Sequence, residues 1–140
     1  MSARFFLDTN IFVYLFDRSA IAKAAKAQQL IRDALTSRKG VISFQVVQEF
    51  FNVALKRFSP PMTTAEAEQY LASVFRPLLA VHSSAALYAE ALRTREAGRI
   101  SWFDSLIVSA AIQSGCDRLY SEDLQHGQKF GSVQIVNPFL

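Results

Sequence analysis

A lone cysteine, Cys116, leaves no internal disulfide framework and suits a reducing compartment. The two histidines, His82 and His126, have no partner at metal-ligand spacing, which argues against a zinc site. No charged-then-apolar leader opens the sequence, and no apolar run approaches the ~18 residues of a membrane span. A cytoplasmic protein without a membrane partner is therefore expected. Repeats, low-complexity tracts and linkers are also lacking, so the 140 residues are read as one domain, 1–140.

Apolar residues, by contrast, are plentiful. They make up 51% of the chain, and twelve residues are Phe, enough for a full core and for a hydrophobic partner surface besides. Charge is only mildly basic, +3 from 15 basic and 12 acidic residues.

The apolar pattern alternates between strand and helix. Arg4–Leu7 reads as a buried strand, followed by a short helix over Asn10–Phe16. Asp17 or Ser19 can cap a second helix over Ala20–Arg38, which Gly40 stops. Val41–Phe44 is a second strand and Gln45–Phe58 a helix. After the Pro60-Pro61 break, Thr63 and Glu66 form a capping box that opens a helix to about Arg76. Leu78–Val81 is a third strand. Ser83 or Ser84 caps a helix that Gly98 ends, and Ser101 caps another over Trp102–Ser114. Arg118–Ser121 and Val133–Val136 complete about five strands, with a polar loop over 125–131. This alternation predicts a parallel sheet with helices on both faces.

Four acids stand out. Asp8 ends the first strand, at the edge where open α/β sheets bind ligands, although it could equally cap the helix that follows. Asp104 falls within the arc of its helix that holds Phe103, Ile107, Val108 and Ala111, opposite Ser105, Ser109 and Gln113. A carboxylate on that side needs a partner or a cation, although a capping box with Ser101 also explains it. Glu49 lies where the apolar arc of its helix meets the polar one. Asp123 follows the fourth strand, with Glu122 competing for its role. Asp17 fits a helix cap better than a site.

In a parallel sheet all four acids come to the carboxyl edge. Each like-charged pair at ~4 Å costs about 1–4 kcal/mol, so protonation or a divalent cation must relieve them. Oxygen donors favour Mg²⁺ or Mn²⁺, and such a site suits phosphoryl chemistry through a metal-activated water. Setting the four aside leaves 15 basic residues against 8 acidic ones, a basic surface suited to RNA or DNA.

The ordered set Asp8-Thr9-Asn10, Glu49, Ser101-Trp102-Phe103-Asp104-Ser105-Leu106, and Ser121-Glu122-Asp123 resembles the PIN domain. Within that family it resembles the VapC-type toxins of type II toxin–antitoxin systems, from about Phe5 to Phe139. The resemblance implies a three-layer α/β/α fold and a Mg²⁺-dependent endoribonuclease. It implies Asp8 and Asp104 as principal metal ligands, Glu49 and Asp123 completing the acidic cluster, and Asn10 and Ser121 hydrogen-bonding behind them. It also implies a homodimer and a cognate antitoxin. The aromatic region from Phe44 to Phe75 could supply the partner surface, or it could be core. Competing readings are a non-catalytic RNA-binding scaffold, a DNA nuclease and an aspartyl phosphotransferase. The last expects a second acid where Asn10 stands.

Overall fold

The computed structural model describes residues 3–140. Its strands are β1 Arg4–Leu7, β2 Gly40–Ser43, β3 Leu79–Val81, β4 Cys116–Tyr120, β5 Lys129–Phe130 and β6 Val133–Val136. They form one sheet in the order β3-β2-β1-β4-β6-β5, parallel except for β5 against β6. Phe5, Phe6 and Leu7 are all buried, as a strand covered by helices on both faces requires.

The helices are α1 Thr9–Leu15, α2 Ile21–Ser37, α3 Phe44–Ala54, α4 Thr64–Tyr70, α5 Arg76–Leu78, α6 Ala85–Gly98 and α7 Trp102–Gln113. One layer is α1 packed on α2 and α3, with α2 also meeting α5. The other is α6 on α7, with α7 lying against β2, β4 and β6. Right-handed crossovers produce this division. The path β1 to β2 to β3 moves one way across the sheet, and the return from β3 to β4 must cover the opposite face. None of the described helices is long and apolar enough to cross a membrane.

An aromatic cluster holds the α1–α3 layer together. Phe75 meets Phe12 and Phe50 with ring centres 5.1 Å apart, and Phe50 stacks on Tyr70 at 5.3 Å. Edge-to-face and stacked pairs of these kinds add about 0.5–1.5 kcal/mol each to the burial itself. Phe50 and Phe75 are fully buried, so these members of the aromatic region are core; Pro60 and Pro61 are exposed.

Several local expectations are corrected. A sixth strand, β5, lies within the stretch read as a polar loop. Two residues are too few to show a period, and they pair only because Gly131-Ser132 turns them back on β6. Neither Asp17 nor Ser19 caps α2. Ala20 is its N-cap, and the Asp17 carboxylate instead accepts from the Ser19 amide and hydroxyl at 2.9 and 2.6 Å. The helix from Thr63 passes through a π turn, Leu71–Phe75, before Pro77, whose missing amide cannot join an α ladder. The helix from Gln45 ends early, at Ala54.

Gly40 and Gly98 do not serve as left-handed helix stops. Arg38 and Arg99 take that conformation, with φ of 59° and 53°. The two glycines serve close packing instead. A Cβ at Gly40 would stand 2.1 Å from the Ala34 Cβ, and one at Gly98 would stand 2.4 Å from the Phe130 ring. Ala34 hangs directly from the α2 backbone, so it cannot swing aside. Gly40→Ala is expected to destabilise the fold by about 1–3 kcal/mol in urea unfolding, with partial recovery in the Ala34→Gly/Gly40→Ala pair. An unchanged midpoint in the single variant would refute the close contact.

Candidate active site at the carboxyl edge

β1 ends between β2 and β4, where the chain's path across the sheet reverses. Open α/β sheets bind ligands at such a reversal, beyond the carboxyl ends of their strands. Asp8 stands there, just past the end of β1, 4% exposed. The Asp8 amide donates to the Tyr120 carbonyl at 3.0 Å, which fixes the residue to the end of β4. Asp8 is both the N-cap of α1 and a member of the acidic group, so the two readings of the sequence do not compete. Its Oδ1 accepts from the Thr9 amide at 2.7 Å, and its Oδ2 accepts from the Ser121 hydroxyl, also at 2.7 Å.

Two hydrogen bonds do not compensate this carboxylate for its lost water. Burial is the largest influence and pushes its pKa from 3.8 to about 7. The Ser121 and Thr9 hydrogen bonds pull it down, while the charges of Asp123 and Glu49 push it further up.

Asp104 sits half-buried on the first turn of α7. The Ser101 hydroxyl accepts from its amide at 3.1 Å. Burial again raises the carboxyl pKa, Ser101 opposes the shift, and Asp123 and Glu49 add to it. The same two acids thus act on both Asp8 and Asp104, so the four carboxylates share one field. The helical arc that singled out Asp104 needs correction, however. Ser105 and Ser109, assigned to the polar side, are fully buried, and Phe103 is 62% exposed. α7 is enclosed all round from Ser105 to Ala111, so no apolar arc could identify its inward side.

Glu49 is half-buried on α3 and held at both oxygens. The Thr9 hydroxyl donates to Oε1 at 2.5 Å and the Gln45 side-chain amide donates to Oε2 at 3.2 Å. Asp123 is exposed, and its amide donates to the Ser121 hydroxyl at 3.1 Å. Glu122 faces elsewhere. It accepts from the Tyr14 hydroxyl at 2.8 Å and from Lys23 at 3.0 Å, and Lys23 lies over the Tyr14 ring. Of the two neighbours, Asp123 is the one in the shared field.

Ser121 bonds Asp8 directly. Asn10 makes no such bond: both polar atoms of its side chain are buried without a protein partner, as are Ser43 Oγ and Gln45 Oε1. Thr9 and Gln45 are contributors that the sequence reading missed. Thr9 figures in the sequence only as part of the Asp8-Thr9-Asn10 motif. Gln45 stands four residues before Glu49, a spacing that places both on one helix face and could have revealed it. Among the described residues, no three His, Cys, Asp or Glu side chains stand at the spacing of a single coordination sphere.

Residues 5–129 match the PIN domain family. The chain belongs to that family. Solved structures share the PIN fold at low identity. VapBC2 from Rickettsia felis, bound to a DNA fragment from its promoter, superposes with a TM-score of 0.61 at 18% identity, over 94% of this chain and 96% of that one. FitAcB from Neisseria gonorrhoeae gives 0.63 at 16% identity, over 96% and 98%. VapC20 from Mycobacterium tuberculosis, a Sarcin-Ricin loop cleaving toxin, gives 0.57 at 18% identity, over 84% and 88%. No curated protein sequence matches this chain.

A pH dependence follows from Asp8. Its folded pKa lies above its unfolded one, so the folded state holds a proton that the unfolded state has lost between about pH 4 and pH 7. The stability contribution is full below pH 4 and is lost as pH rises through 7. In metal-free protein, stability in that window should fall with pH more steeply than in Asp8→Asn, by up to about 1.4 kcal/mol per pH unit. Parallel profiles from chemical denaturation would contradict the burial of this carboxyl.

Proposed function

We propose that this PIN domain is a metal-dependent endoribonuclease and the toxin of a toxin–antitoxin pair. The observation that carries the reading is buried Asp8 at the end of β1, bonded through Thr9 to Glu49 and through Ser121 to the turn that carries Asp123. Buried Asp8 and half-buried Asp104 are both pushed toward neutrality by burial and by Glu49 and Asp123. An arrangement that costs folding energy at neutral pH is expected where a cation compensates it.

The residues fit Mg²⁺, with Mn²⁺ as a substitute. The donors are all oxygen, and Mg²⁺ takes one or two carboxylates directly while keeping much of its water. Asn10, with both amide atoms buried and unpartnered, is placed two residues from Asp8 to hydrogen-bond coordinated water. Asp8 and Asp104 would hold the ion, and Glu49 and Asp123 would orient the attacking water. When bound, the ion supplies Lewis acidity toward a phosphate and lowers the pKa of that water. The chain's own part is positional: Ser121 and Thr9 fix both oxygens of Asp8, and Thr9 and Gln45 fix both oxygens of Glu49.

The structural neighbours support the biological setting. One is a toxin that cleaves the Sarcin-Ricin loop, and one is a VapBC assembly bound to promoter DNA. By analogy the reading includes an RNA substrate, a cognate antitoxin, a homodimer and a cytoplasmic location. A short neighbouring reading frame for a small DNA-binding protein is the expected companion.

Purified protein should cleave RNA in Mg²⁺ or Mn²⁺ but not in EDTA, and Asp8→Asn and Asp104→Asn should each fall to background while retaining the native circular dichroism spectrum. Wild-type-level cleavage by either variant would remove the site, and preferential cleavage of DNA would replace the substrate. Metal at a hundredfold excess over its dissociation constant should stabilise the wild type by about 2.7 kcal/mol. No stabilisation at millimolar metal would leave these acids as caps.

A further inference from the structure

The bonds around the site form one chain. The Asp123 amide donates to the Ser121 hydroxyl, which donates to Asp8. Asp8 accepts from the Thr9 amide, and the Thr9 hydroxyl donates to Glu49. Glu49 accepts from the Gln45 side-chain amide, whose second bond runs 3.1 Å to the Phe103 carbonyl. That carbonyl belongs to the peptide linking Phe103 to Asp104. Asp123, Asp8 and Glu49 are therefore joined to one another through Ser121 and Thr9, and Gln45 joins them to the turn that presents Asp104.

We propose that Gln45 is a positioning residue of this site, setting the distance between Glu49 on α3 and Asp104 on α7. The inference rests on the nuclease reading above. Gln45 is 4% exposed, so its contacts are not those of a wandering surface side chain. Its orientation is dictated by chemistry: a carboxylate oxygen and a peptide carbonyl are both acceptors, and only the NH₂ end can satisfy the two together. The remaining oxygen is then left buried without a protein partner. That arrangement costs free energy if Gln45 only fills space, because an apolar side chain of the same length would fill the volume without an orphaned acceptor. Two hydrogens on one nitrogen, one to each element, act as a fixed-length tie between two helix N-terminal turns that come from opposite layers of the sandwich.

Gln45→Met keeps length and volume while removing both donors. The variant is expected to fold, to bind Mn²⁺ roughly 10–100-fold more weakly by calorimetry, and to lose kcat at saturating metal while the KM for an RNA oligonucleotide stays within about twofold. A residue that merely packs would leave metal affinity and kcat unchanged. If the wild type binds Mn²⁺ and cleaves RNA and Gln45→Met matches it, the Gln45 assignment falls alone. If the wild type neither binds Mn²⁺ nor cleaves, the nuclease reading falls and takes this one with it. Should Gln45→Met not fold, the wild-type side chain decides by NMR. Two exchange-protected Gln45 amide protons that shift on adding Mg²⁺ support the tie, and freely exchanging protons that ignore Mg²⁺ overturn it.

Discussion

Asp8 is a carboxylate taken out of water at the centre of a parallel sheet, and much else near it answers to that fact. Left alone it would protonate near neutral pH, with a carboxyl pKa of about 7. Two donors, the Thr9 amide and the Ser121 hydroxyl, offset part of the cost, and two further acids make it worse. A protein gains nothing in stability by gathering acids around a buried carboxylate. The gathering is intelligible if the missing positive charge arrives from outside the chain.

The sheet order makes this gathering possible. Because β1 lies between β2 and β4, the end of the first strand meets the end of the fourth, 113 residues later in sequence, and Ser121 reaches Asp8. The crossover that returns from β3 to β4 brings α7 to the opposite face from α3. Asp104 and Glu49 thus approach the carboxyl edge from opposite layers. Such a site is held in register by whatever spans the two layers at that edge, and the Gln45 amide does so, between Glu49 and the Phe103 carbonyl.

Much of this is legible in the sequence. The strand and helix alternation carried the architecture, because short apolar runs bounded by turn residues alternate with longer helical stretches. Asp8 and Asp123 were readable as residues standing just past strand ends. Asp104 was singled out for an imperfect reason. Helical periodicity presumes one wet face, and α7 has none between Ser105 and Ala111, so the buried serines passed for solvent-facing ones. Asp123 is the preferred fourth acid on the sequence, but what draws Glu122 aside shows only in the fold, since Tyr14 and Lys23 stand 108 and 99 residues from it in sequence. Thr9 and Gln45 act through hydrogen bonds that leave no mark on hydropathy. The two-residue β5 lay below the length at which a period exists.

The protonation state of Asp8 tests the account most directly. In protein labelled at the aspartate side-chain carbonyl, the Asp8 carboxyl should titrate near pH 7 without metal, and with saturating Mg²⁺ it should stay ionised down to its ordinary range near 3.8 or below. A carboxyl that titrates near 3.8 in both conditions would contradict the central claim that this buried charge awaits a cation.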